Sequence, residues 1–369
     1  MMPFDPDAPA APASGIFGLP HTPEEALVHV IGVPFDATTS YRNGAAMAPA
    51  AILAASAQVD LYDLWTERPF EAGIAMLEMD PRIEEWNREA RLLAKPIIDA
   101  GGIEAIEAGK FEEERRLGFR HPLTEDERIP DWRAALRRID ELGERVGTYV
   151  HDEVASALHD GRLPCVLGGD HSVPFGAIQA CGERHPELGI LHIDAHADLR
   201  PAYEGFTWSH ASIMHNVLER IPAVERIVQI GVRDLGLVEK RAIEESGGRV
   251  QTVFDKQWAR ARFQVGSTIE LVRTAILKLP EHVYLSFDID GLDPSLCPNT
   301  GTPVPGGLDW HEAMLVLEEL SKSGRKVVGM DLCECSPGEK PDRNGESWDA
   351  IVGARMLYRM IGFALVCNR

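Results

Sequence analysis

The sequence predicts an α/β protein with a largely parallel sheet, helices on both faces and one helical insertion. Three observations predict it. From residue 164 onward, short apolar strand-like runs alternate with amphipathic helical segments, the pattern of repeated βα units. Several of these runs end in acids or histidines, at the edge where open α/β sheets place ligands. Between about 80 and 160 the strand-like runs vanish and helical spacing takes over.

Residues 1–20 hold five prolines and little to bury, so they are expected to form a flexible N-terminal arm, laid over a neighbouring subunit in one reading. Residues 21–369 form a single domain. Leu27 to Val33 reads as the first buried strand, followed by a polar turn-rich loop from Pro34 to Gly44 that is either a pocket wall or a simple connection. Asp80-Pro81 supplies an N-cap and a proline at the first helical position. The helix it opens should run through Leu93 and end or kink at Pro96. The stretch 96–128 reads as a solvated excursion or a flap. Trp132, Leu136, Ile139, Leu142, Val146, Val150, Val154 and Leu158 then step by three or four residues, and Gly161 closes that helix.

Beyond the insertion, strands are expected at 164–167, 189–194, 226–231, 282–288 and 326–333. Helices are expected at 173–184, 210–220, 269–277, 310–321 and 349–361. Right-handed crossovers put successive strand ends on one rim.

A net charge of −21 argues against nucleic acid and anionic membrane surfaces, which recruit Lys and Arg clusters. The six cysteines form no CxxC pair and lie mostly in apolar runs, so they are expected to be reduced. The first fifteen residues lack the basic and apolar segments of a signal peptide. No run approaches a membrane span. A cytoplasmic protein is the expectation.

The chemistry concentrates in Leu191-His192-Ile193-Asp194-Ala195-His196-Ala197-Asp198. Alternate residues of an extended chain share a face, so Asp194, His196 and Asp198 converge. Asp288 and Asp290 end a second apolar strand, and His171 follows a third at Gly168-Gly169-Asp170. Two imidazoles and four carboxylates suit two divalent cations, Mn2+ before Ni2+ or Co2+, rather than a structural zinc. Singly, acids at strand ends also serve as caps and turns.

Gly168-Gly169-Asp170-His171-Ser172, Asp194-Ala195-His196-Ala197-Asp198 and Ser286-Phe287-Asp288-Ile289-Asp290-Gly291-Leu292-Asp293-Pro294 resemble the three signatures of the ureohydrolase family, which includes arginases, agmatinases, formiminoglutamases and guanidino-acid or guanidine hydrolases. The chain is most similar in character to the agmatinase-type members. The resemblance implies a three-layer α/β/α arginase-like fold and a trimer or hexamer. It implies that His171 and Asp198 hold one ion, His196 and Asp290 the other, and that Asp194 and Asp288 bridge both. Glu334, in Asp331-Leu332-Cys333-Glu334, matches the glutamate that receives the guanidinium group. His210 falls where the family has a proton-shuttling histidine.

The implied activity is hydrolysis of a small cationic guanidino compound to urea plus an amine or ammonia, with Asp198, His210 and Glu334 in the catalytic set. Two metals would make hydroxide available near neutral pH. A histidine with a pKa near operating pH relays the proton the departing amine needs.

Arginases resemble one another in an Asn and an acid that hold the amino-acid end of arginine. Arg200 and Gly236 stand at those positions here, so agmatine or a small guanidine, including free guanidine, is the expected substrate. Trp208 and Tyr203 either shorten the pocket or pack in a loop. Arg200 either receives a carboxylate, making a guanidino-acid hydrolase or a formiminoglutamase-like enzyme, or forms a surface ion pair. A single-zinc deacetylase-type hydrolase and a non-catalytic subunit are the remaining alternatives.

Overall fold

In a computed structural model, residues 4–10, 14–108, 131–264, 267–338 and 347–369 are described. Their strands are β1 (Val28–Val33), β2 (Ile74–Met76), β3 (Leu163–Gly168), β4 (Leu188–Ile193), β5 (Val224–Ile230), β6 (Val250–Val253), β7 (His282–Asp288) and β8 (Lys326–Cys333). They form one sheet in the order β2-β1-β3-β8-β7-β4-β5-β6, with every pairing parallel. All residues of β1, β3 and β4 are buried, because helices cover both faces. The predicted fold class is therefore the observed one.

The described helices are α1 (Ala48–Ser56), α2 (Pro81–Asp99), α3 (Ile103–Glu107), α4 (Trp132–His159), α5 (Phe175–Arg184), α6 (Ile213–Arg220), α7 (Leu237–Glu245), α8 (Asp255–Arg262), α9 (Ser267–Ile276), α10 (Trp310–Lys322) and α11 (Trp348–Cys367). One face of the sheet packs Ile52, Leu317 and Leu357 from α1, α10 and α11. The other packs Val146, Ile178 and Val217 from α4, α5 and α6. α4 and α5 cross with their backbones touching: a Cβ on Gly176 would stand 2.0 Å from the Gly147 carbonyl oxygen.

Four expectations change. The loose arm is anchored before it ends, because Ile16, Phe17 and Leu19 are buried and Phe17 packs on Tyr358 of its own chain at 4.8 Å. α2 runs past Pro96 to Asp99; a proline one turn from the helix end removes a single backbone bond, which the rest of the helix tolerates.

The stretch from 96 is helical to Asp99 and again at α3, and its part from residue 109 to 128 lies outside the described residues. α11 is long and apolar enough to cross a membrane, contrary to the expectation of no such run. Its Ala354, Leu357, Tyr358 and Ile361 are nevertheless buried in the core, and a core helix covered all round is apolar all round.

Candidate metal and substrate site

β3, β8, β7 and β4 are contiguous at the centre of the sheet, so the residues just beyond their carboxyl ends share one crevice. Gly169 turns the chain after β3, where a Cβ would lie 1.9 Å from the carbonyl oxygen of Phe35; only glycine fits. This crossing delivers His171. Its backbone N–H donates to Glu334 Oε1 at 3.0 Å, and Glu334 N–H donates to the Gly169 carbonyl at 2.8 Å. The ends of β3 and β8 are thus stitched together.

His171 Nδ1 lies 3.1 Å from Asp194 Oδ2, 3.1 Å from Asp198 Oδ2 and 3.5 Å from Asp288 Oδ2. His196 Nδ1 lies 3.0 Å from Asp290 Oδ2 and 3.5 Å from Asp194 Oδ1. All six predicted ligands therefore meet. Five of them, with His192, offer donor atoms in two groups within 4.8 Å, His171-His192-Asp194-Asp198 and Asp194-His196-Asp290, which share Asp194; Asp288 belongs to neither group and meets the cluster at His171.

The protein alone balances these charges poorly. Burial, then Asp290 and Asp194, push the Asp288 carboxyl well above its ordinary range; burial, then Asp194, push Asp198 up to about 6. Burial opposes ionisation of Asp194 as well, but His192, His171 and His196 around it hold its carboxyl well below the usual range. Buried like charges at this spacing repel unless cations lie among them. Carboxylates and imidazoles converging in this way suit divalent first-row ions, so the residues fit the metals the sequence suggested.

Glu334 is 2% exposed. Its Oε2 has no hydrogen-bond partner among the described residues, and its backbone sits at φ 59°, a conformation costly for a non-glycine residue and concentrated at functional sites. Burial, then Asp170 and Asp290, raise its pKa well above the usual range. An orphaned buried acceptor of this kind suits a cationic donor from outside.

His210 is buried at the start of a short 3-10 turn, its N–H donating to Thr38 Oγ1 at 3.3 Å. Burial, then His196 and His171, lower its pKa to about 3. Beside charged His196 and His171 the imidazole is held neutral, its pKa below the near-neutral value expected for a relay.

A pocket of about 290 Å³ opens from the cluster and is lined by Ser40, Tyr41, His196, Arg200, Tyr203 and His210, among others. The loop after β1 is thus a wall. Trp208 is not among the lining residues; it packs on Phe175 at 4.9 Å, with the Arg220 guanidinium 4.8 Å from its ring centroid. The reading of Trp208 as a substrate residue gives way to packing. Arg200 does line the pocket, paired with the buried Glu239 at 3.4 Å and laid over Tyr203 at 4.9 Å.

Sequence reasoning missed His192, whose Nε2 is 2.8 Å from Asp194 Oδ2, although it continues the same every-second-residue face. It also missed Ser286, whose Oγ lies 2.8 Å from His171 Nε2, and Asp331, which accepts from Ser286 at 3.3 Å.

Fold and site together define a class: α/β hydrolases whose site is built of carboxylates and imidazoles at the sheet's carboxyl edge. Within it the chain belongs to the arginase family, whose model matches residues 26–362. It is a ureohydrolase of the agmatinase type, acting on C–N bonds of linear amidines. It is 32% identical to an N(1)-aminopropylagmatine ureohydrolase of Thermus thermophilus over 94% of each chain. It is 29% identical to an agmatinase of Pyrococcus horikoshii over 91% of each. Among solved structures, proclavaminate amidino hydrolase from Streptomyces clavuligerus shares the fold with a TM-score of 0.66 and 26% identity, covering 97% of this chain and 99% of that one.

Proposed function

We propose that the protein hydrolyses a guanidino compound lacking an α-amino-acid end, agmatine or a small guanidine, to urea and an amine or ammonia. The observation that carries this reading is the buried, unpartnered Glu334 Oε2 beside the two overlapping donor groups.

His171 and Asp198 would hold one divalent ion and His196 and Asp290 the other, with Asp194 and Asp288 shared; two overlapping groups support two ions over a single zinc. Mn2+ is the first choice and Ni2+ the second, by donor chemistry. Such a pair lowers the pKa of water to the neutral range.

Glu334 orients the guanidinium by charge-assisted hydrogen bonds, and its raised proton affinity is reversed when the cation arrives. His210 stands beside the cluster where it would pass the proton given up by water to the departing nitrogen, so that R–NH–C(NH2)2+ and water become R–NH3+ and urea.

The names of the Thermus and Pyrococcus relatives support a substrate with an amine-bearing tail. Exposed Leu237, Val238 and Phe263 support assembly as a homo-oligomer, a trimer or hexamer, and six free cysteines support a reducing, cytoplasmic setting.

Urea release is measured for protein loaded with Mn2+ or Ni2+ and offered guanidine, methylguanidine, agmatine, aminopropylagmatine, guanidinobutyrate and arginine. Release from a non-amino-acid member is expected. Silence across the panel with metal bound overturns the reading.

A further inference from the structure

The described residues of the helical insertion have no part in the metal cluster, yet they grip the segment that carries two pocket residues. Between Tyr203 and His210, which line the pocket, the chain turns away and docks on α2, α3 and α4. Tyr203 and Phe206 close a tight turn by exchanging backbone hydrogen bonds at 3.2 and 2.9 Å. Phe206 is fully buried among Ala94, Ile97, Ala135 and Ile139 of α2 and α4. The Glu204 carbonyl accepts from Ile103 N–H at 3.2 Å. A Cβ on Gly102 would stand 2.9 Å from Glu204 Cα, and one on Gly143 would stand 3.0 Å from Trp208 Cβ.

Asp140 of α4 completes the grip. Its carboxylate accepts from Thr207 N–H at 3.1 Å and from Thr207 Oγ1 at 2.9 Å, while the Thr207 carbonyl accepts from Asn216 Nδ2 at 2.8 Å. Both backbone groups of Thr207 are therefore fixed by side chains, three residues before His210. α4 itself is anchored by its backbone crossing with α5 at Gly147 and Gly176, so the grip is referred to the rigid part of the fold.

We propose that the insertion is a positioning platform for the substrate loop, and that Asp140, acting through Thr207, is the positioning residue that holds His210 in register with the metal cluster. This rests on the proposed hydrolase reading for its catalytic consequence, but the platform itself is tested without it.

Asp140→Ala, Asp140→Asn and Thr207→Val are compared with wild type by hydrogen–deuterium exchange, metal content and kinetics. In Asp140→Ala, amides 205–212 are expected to exchange faster while those of β3, β4 and β7 stay protected and metal content is unchanged. With the substrate found above, kcat should fall about 10- to 100-fold with KM changed much less, as misplacement of a reacting group costs rate rather than affinity. Asp140→Asn keeps an acceptor for the Thr207 N–H and should recover most of the loss; Thr207→Val, losing the hydroxyl bond alone, should fall between.

Unchanged exchange at 205–212 overturns the platform whether or not any guanidino compound is hydrolysed. Faster exchange with wild-type kcat overturns the positioning role.

Discussion

Arg200 lies across Gly236: a β-carbon at 236 would stand 3.4 and 3.5 Å from its Nη2 and Nη1 and 3.3 Å from Glu239 Oε2. Gly236 has an ordinary extended backbone, φ −78° and ψ 162°, at the N-cap of α7, where Ser, Asp or Asn would cap better. Neither its conformation nor its surroundings demand glycine: a β-carbon would meet Arg200 at ordinary contact distance and Glu239 Oε2 only slightly closer. Arg200 fills the space above it with its charge met by Glu239, which also accepts from Leu199 and Gly236 N–H at 3.2 and 2.7 Å.

An arginine already paired and stacked is not waiting for a substrate carboxylate. Arg200→Ala should therefore shift the ratio of kcat/KM for agmatine over guanidinobutyrate by less than about threefold, whereas loss of a carboxylate-binding arginine costs on the order of 100-fold for the acid alone. A selective loss of guanidinobutyrate hydrolysis of that size would show that Arg200 leaves Glu239 to bind substrate. Steady-state kinetics on the two compounds decide it.

Ser286 sets the ring of His171. With Nε2 held at 2.8 Å from the Ser286 hydroxyl, Nδ1 is left facing Asp194 and Asp198. Partners that fix a ligating imidazole typically contribute 10- to 100-fold in metal affinity. Ser286→Ala is expected to weaken binding of one ion by about that factor, read by titration with Mn2+. Asp194→Ala should remove both ions, since Asp194 belongs to both donor groups. A variant lacking Asp194 that still binds two ions per chain would show the groups to be independent.

Much of this was legible because chemistry and strand ends coincide. Asp194, His196, Asp198, Asp288 and Asp290 follow apolar runs that end abruptly in acids, and β7 and β8 have the predicted bounds. The edge strands β2 and β6, of three and four residues, are too short to show a period. Trp208 illustrates what a linear reading lacks: it lies two residues from His210, yet its ring turns to α4 and α5 rather than the pocket. The Arg200–Gly236 contact joins residues on different loops, and neither residue announces the other in the sequence. His192 was visible in principle, sharing the face of Asp194, but a histidine inside a strand has no signature apart from its neighbours.

Metal binding should stabilise the fold, because the carboxylates that repel one another are the ones the ions would join. Each ion adds about 2.7 kcal/mol at a free concentration a hundred times its Kd. Thermal unfolding of the chelator-treated protein should therefore begin lower, and Mn2+ or Ni2+ should restore it in a concentration-dependent manner. An unfolding temperature indifferent to chelation and to both ions would argue that the cluster holds neither.

Glu204 makes stability depend on pH away from the metal cluster. Burial, and secondarily Asp99, push its carboxyl up to about 7, and its Oε2 has no hydrogen-bond partner among the described residues. The folded-state pKa lies above the unfolded value of about 4.5, so the folded state binds the proton more tightly. Its stabilising contribution is complete below about pH 4.5 and is lost as pH rises through about 7. Glu204→Gln keeps the shape without the titration, and its melting temperature should exceed that of wild type by a margin that grows from pH 5 to pH 8 and then levels. A margin that is constant across that range would mean Glu204 ionises in the fold as it does in the unfolded chain, and that the turn on which it sits accommodates the charge.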